Sequence, residues 1–162
     1  MAESLGKKAE KKIKEWLDRP EEGYCFDRIP DQMTGLYGSK NKCDFILFKS
    51  PTMYYIESKA TEDDRFDFAE ISEYQRESLL EKSKIAHVRG VLILLFATYQ
   101  RAFAIDIREV EWLRTHGQKS LNIKKIAKWR IAYTEIQTIP NRRKDLLDYT
   151  GEIEVAEPLI HD

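Results

Sequence analysis

CDFILFKSPTMYYIESKA, residues 43–60, holds two apolar runs joined at Ser50–Pro51, with Asp44 near one end and Glu57 near the other. If both runs are strands, alternation places Met53, Tyr55, Glu57 and Lys59 on one face and Tyr54, Ile56 and Ser58 on the other. Two carboxylates and an ammonium then share one patch of an otherwise apolar hairpin, where charge is unfavourable unless it is partnered. A hard divalent cation between Asp44 and Glu57 resolves the conflict. Such a site suits metal-assisted hydrolysis of a phosphodiester. A Glu-x-Lys step also reads as a solvated ion pair worth little. Here, though, both acids lie inside hydrophobic runs and not beyond them.

Outward from the hairpin, the chain reads as one domain spanning residues 1–162, long enough to bury a proper core. Hydrophobic residues make up 42% and charged residues 34%, which suits a globular protein with a charged surface. No apolar stretch reaches the length of a membrane span. The first residues, MAESLGKKAEKKIKEW, are charged where a signal peptide needs an apolar centre. The expected location is the cytoplasm, with no membrane contact and no small-molecule cofactor. Cys25 and Cys43 share no metal-ligand spacing with His87, His116 and His161, so they read as reduced, half-buried residues flanking strands.

Helical spacing of Leu5, Ala9, Ile13, Trp16 and Leu17 predicts a helix over 3–17, ended by Asp18-Arg19-Pro20. Glu10 projects roughly 80° from the centre of that stripe, at its rim, where a side chain reaches a cleft without being buried. A short strand is expected at 23–28. The following stretch, rich in glycine and polar residues, reads as a long loop, and long loops in compact domains are often functional. Strands are expected at 43–49 and 53–59, then an acidic link and a helix over 69–85. Ile71, Tyr74, Ser78 and Leu79 mark the inner face of that helix, with Gln75 in its middle needing hydrogen-bond partners. GVLILLFA (90–97) is the most apolar run and the expected central strand. A strand at 102–107 and a helix at 108–116 follow. The rest is weakly patterned: a helical turn near 123–129, an extended piece near 130–136, and a late packing segment, LLDYTG. This order implies an α/β fold with a mixed central sheet flanked by helices.

The formal net charge of −1 does not announce nucleic-acid binding, but its distribution is uneven. Residues 119–144 hold eight Lys/Arg against one acid, whereas 57–81 hold nine acids. A segregated basic stretch is a candidate phosphate footprint and equally an ordinary solvated surface.

These elements and residues, taken in order, resemble the PD-(D/E)XK nuclease superfamily, and within it the Holliday-junction resolvases of the RecU type and their phage relatives. The match runs from Gly6-Lys7-x-x-Glu10-Lys11 through CDFILF, YYIESKAT, Phe66, Ile71 and Gln75 to GVLILLF, about residues 5–113. A weaker echo lies at Leu147-Asp148-Tyr149, and 118–162 reads as a packing and basic extension. The resemblance implies a restriction-endonuclease-like core with Mg²⁺, or Mn²⁺, held by Asp44, Glu57 and the backbone carbonyl of Ser58. Glu10 would support a second ion, Lys59 would orient or deprotonate the attacking water, and Gln75 would steady the site. It implies a homodimer that nicks four-way DNA junctions symmetrically and leaves 5′-phosphate and 3′-hydroxyl ends. Residues 29–42 stand where the RecU type builds a projecting stalk, but are shorter. Tyr37, Lys40 and Lys42 are the expected branch-point contacts, and Lys124, Lys125, Lys128 and Arg130 the expected phosphate track. Two other readings remain open at this point: a related endonuclease acting on duplex or flap DNA, and a catalytically silent DNA-binding module.

Overall fold

The computed structural model describes residues 2–30, 41–141 and 146–159. Its elements, in chain order, are α1 (Leu5–Leu17), β1 (Tyr24–Arg28), β2 (Phe45–Lys49), β3 (Thr52–Thr61) and β4 (Arg65–Asp67), then α2 (Glu73–Ser83), β5 (Val88–Phe96), β6 (Arg101–Asp106) and α3 (Ile107–Thr115). Four short strands follow α3: β7 (Ser120–Asn122), β8 (Thr134–Glu135), β9 (Thr138–Ile139) and β10 (Asp148–Tyr149), with β7 pairing to β4 and β10 to β9. Among the described residues, six strands form one sheet in the order β1-β2-β3-β5-β6-β8. Only β3 and β5 within it run parallel, joined by the crossover through α2; the other neighbours are antiparallel. The expected mixed sheet is thus present, and no helix among the described residues is long and apolar enough to cross a membrane.

β5 explains why its sequence is almost uninterrupted in apolar residues. Val91, Ile93 and Leu95 pack towards α1, with Ala9, Ile13, Phe45, Leu47 and Ile56. Leu92, Leu94 and Phe96 pack the other way, with Leu79 of α2, Val110 and Leu113 of α3, and Phe103. A strand buried on both faces has no reason to alternate. The weakly patterned C-terminal region joins the same layers: Ile136, Leu146, Tyr149, Ile153 and Val155 complete the α1 side of the core.

α2 sits unusually close to β5. A Cβ placed on Gly90 would lie 2.7 Å from the Leu79 carbonyl oxygen and 2.9 Å from Leu79 Cβ. The Gly90 amide also donates to Ser83 Oγ at 3.0 Å. The glycine therefore fixes the depth at which the helix rests on the sheet.

Two local expectations change. The helix expected over 69–85 begins at Glu73, because Ser72 caps it and residues 68–70 form a separate 3₁₀ turn capped by Asp67. Ile71 consequently precedes the helix, and Tyr74 points outward at 42% exposure instead of joining the inner face. The two cysteines are not alike: Cys25 is exposed, whereas Cys43 is fully buried. Beyond these expectations, Lys12 of α1 is buried through an ion pair with Asp148.

Candidate active site

The β2–β3 ladder ends at the pair Phe45↔Ile56, while β3 continues to Thr61 against β5. Asp44 lies at this parting of the strands. Its amide donates to the Ile56 carbonyl at 2.9 Å, and its carboxylate accepts the Ser58 amide at 2.8 Å. That bond satisfies a backbone donor beyond the end of the β2 ladder and fixes where the Asp44 carboxylate sits relative to Glu57.

Glu57 points to the α2 side of the sheet, as its alternation with Ile56 requires, and is only 2% exposed. Its Oε1 accepts from Gln75 Nε2 at 2.9 Å and lies 3.2 Å from Lys59 Nζ. Its Oε2 is buried without a hydrogen-bond partner among the described residues. Burial, then the neighbouring Asp44 charge, pushes the Glu57 carboxyl up to about 8; Lys59 pulls it down and Glu10 adds to the rise. Two mutually repelling carboxylates with one orphaned buried oxygen form a donor set for a hard cation.

Gln75 reaches Glu57 because of where it stands in α2. It is the third residue after the Ser72 cap; its amide donates to Ser72 Oγ at 3.1 Å, and its Oε1 accepts the Ser72 amide at 3.3 Å. This reciprocal capping box leaves Nε2 for Glu57. One amide side chain both starts the helix and orients the buried carboxylate. The sequence Ser72-x-x-Gln75 carries that signal, although the expected helix start further upstream obscured it.

Glu10 occupies the rim of α1, as its azimuth requires, and pairs with Arg28 of β1 at 3.2 Å. It acts on Glu57 through its charge. Among the described residues no three His, Cys, Asp or Glu side chains gather as a metal-binding group. A hard cation held here would take the two carboxylates, with a backbone carbonyl and water filling its remaining positions.

Tyr37 and Lys40 lie outside the described residues, as do Arg142, Arg143 and Lys144 of the basic stretch; Lys42 is described and exposed. Lys124, Lys125, Lys128 and Arg130 are all exposed around the 3₁₀ turn at Ile126–Lys128. Lys124 is paired with Asp64 at 3.4 Å. The sequence carried no signal for a further cluster, in which buried Asp106 and Arg89 are joined by the exposed Arg108. Asp106 Oδ2 accepts from Arg89 Nη2 and Arg108 Nη2, each at 2.9 Å, while Arg89 also holds the carbonyls of Val155 and Ala156.

Fold and site together define an α/β core whose mixed sheet carries an acid at the parting of two strands and a Glu-x-Lys step on the second. The profile of the RecU family, Recombination protein U, matches residues 27–154, well over half of the chain. The chain belongs to the RecU family. The match reaches past the C-terminal strands and begins after α1, so Glu10 lies outside it. A search of the curated proteins returns no match. Among solved structures the chain is similar to Hjc of Archaeoglobus fulgidus, described as a Holliday junction resolvase from an archaeal hyperthermophile, with 17% identity and a TM-score of 0.53. The likeness covers 76% of this chain and 93% of that one, and at that identity it is a likeness of fold.

Proposed function

We propose that this protein is a divalent-metal-dependent endonuclease that resolves four-way DNA junctions by paired nicking as a homodimer, leaving 5′-phosphate and 3′-hydroxyl ends. Family membership supports a nuclease acting in junction resolution. The observation that carries the reading furthest is the buried, unpartnered Glu57 Oε2 beside Asp44 and Lys59. Asp44, Glu57 and the Ser58 carbonyl would hold one Mg²⁺ or Mn²⁺, with Glu10 supporting a second through water. When bound, such an ion supplies a water of lowered pKa and charge stabilisation for the phosphate.

The protein's own groups then have separable tasks. Asp44 holds the Ser58 amide and so fixes the backbone whose carbonyl would complete the ligand set. Gln75 locks the Glu57 rotamer. Lys59, 21% exposed at its side chain, stands at the mouth of the site, where its ammonium orients an attacking water and stabilises charge on the phosphate. Lys42, Lys124, Lys125, Lys128 and Arg130 would track backbone phosphates, with Tyr37 and Lys40 at the branch point. A homodimer supplies two sites in matched geometry for the two strands to be cut.

The discriminating variant is Asp44→Ala. Cleavage of a four-way junction is expected to fall by at least ~10²–10³-fold, because a ligand worth several kcal/mol is lost. Junction affinity in EDTA should stay near that of the wild type. A variant that still cuts contradicts the assignment. A wild type that binds the junction but never cuts it, with any divalent cation, is a silent binding module.

A further inference from the structure

We propose that Tyr99, on the turn between β5 and β6, is a stacking platform for an unpaired base of the strand being cut and sets the position of the cut relative to the branch point. The proposal rests on the junction-resolving reading above and adds a residue outside the set assigned to that reading.

Position comes first. β3 and β5 run parallel with Lys59↔Leu94 and Thr61↔Phe96 in register, so the turn at 97–100 lies just past the end of the strand that carries Glu57 and Lys59. At about 3.3 Å per residue, the turn begins about 17 Å along the sheet from Glu57. That is within the reach of a few nucleotides. The turn also lies beside the segment that follows β7, whose Ile123 and Ile126 pack on the α2 side of the sheet, the side to which Glu57 points.

Rigidity comes second. The Ala97 amide donates to the Thr61 carbonyl at 2.8 Å, and the Gln100 amide donates to the Ala97 carbonyl at 3.1 Å. Thr98 Oγ1 donates to the Glu62 carbonyl at 2.6 Å. Gln100 is held at φ +51°, a left-handed conformation uncommon for a residue other than glycine. A turn this firmly pinned to the strand of the catalytic acids nonetheless leaves a tyrosine 37% exposed.

Chemistry comes third. Lys124, whose ammonium lies 3.4 Å from Asp64 Oδ2, is close enough to Tyr99 for the two to interact, and Lys125 and Lys128 on the same segment are exposed. An aromatic face rimmed by cations is the arrangement that binds unpaired nucleotides, the ring taking the base and the cations the phosphates. Duplex DNA offers no free base face to such a ring, whereas a branch point does. The platform would therefore favour branched over linear substrate.

The test uses the full chain and immobile four-way junctions carrying 2-aminopurine at successive positions around the branch. In EDTA, wild type and Tyr99→Phe are expected to change the fluorescence at one position near the branch, while Tyr99→Ala and Tyr99→Leu leave it unchanged. Tyr99→Leu keeps apolar bulk without a ring, and thermal unfolding verifies that each variant is folded. With Mg²⁺, the ring-less variants should cut at scattered phosphodiesters and bind the junction about tenfold or more weakly. Wild-type fluorescence and wild-type cut positions in Tyr99→Ala or Tyr99→Leu would overturn the platform while leaving the resolvase intact. Failure of the wild type itself to bind or cut the junction would overturn the resolvase and the platform with it.

Discussion

Glu57 concentrates the conflict on which the site is built. It is a nearly inaccessible carboxylate with one oxygen tied to Gln75 and Lys59 and the other without a partner. Burying an ionised group this way is unfavourable unless a cation completes it. Glu57→Gln removes the charge and keeps the shape, so in EDTA the variant should unfold at a higher temperature than the wild type while losing cleavage. Thermal melts with and without EDTA check this, and Mg²⁺ should stabilise the wild type more than the variant. The pairing of Asp44 with Glu57 is legible in sequence because charge interrupts two apolar runs, and the face of Glu57 follows from a period of two. The partner of Glu10 was not legible: helical azimuth says that it reaches a rim, but not that Arg28 of a neighbouring strand waits there. The burial of Lys12 was illegible for the same reason, since its partner Asp148 is distant in sequence.

At the scale of elements, two close fits decide whether the site assembles. Gln75 reaches Glu57 only if α2 rests at its present depth on β5, and Gly90 sets that depth. Gly90→Ala should push the helix outward, cost about 1–3 kcal/mol as overpacking does, and lower cleavage about 10–100-fold by loosening a supporting residue. Denaturant midpoints and single-turnover rates measure the two effects separately. The second fit is the start of α3. Burial raises the Asp106 carboxyl, but hydrogen bonds from Arg108 and Arg89 outweigh it and hold the group below the ordinary carboxylate range. Its stabilisation is present above the unfolded value of about 3.9 and lost as pH falls through the lower folded value. Asp106→Asn should therefore destabilise by about 3–5 kcal/mol at neutral pH, leaving Arg89 buried without its anion. The difference from wild type should shrink on acidification below about pH 4, read from urea midpoints along a pH series. β5 was legible as the longest apolar run and α1 from its stripe. The boundary of α2 was not, because an acidic polar link and a separate 3₁₀ turn blur where the periodicity starts.

Across the whole molecule, the near-zero net charge conceals an uneven distribution: half-buried Asp44 and buried Glu57 on one hairpin, cations around the turn at 126–128. If that surface tracks phosphates, junction affinity should fall steeply with salt. Removing Lys125, Lys128 or Arg130 should each lower the slope of log K against log salt by roughly 1, as titrations at several ionic strengths would show; a slope untouched by these changes contradicts the phosphate track. The C-terminal third was the least legible part. Its short strands and the strap held by Arg89 depend on contacts far away in sequence, and no local period announces them. The most direct test of the account is cleavage of a labelled immobile four-way junction beside the matched linear duplex, with Mg²⁺ and with EDTA. Paired symmetric nicks in the junction alone, abolished by EDTA, are the expected result; equal cutting of both substrates would contradict it.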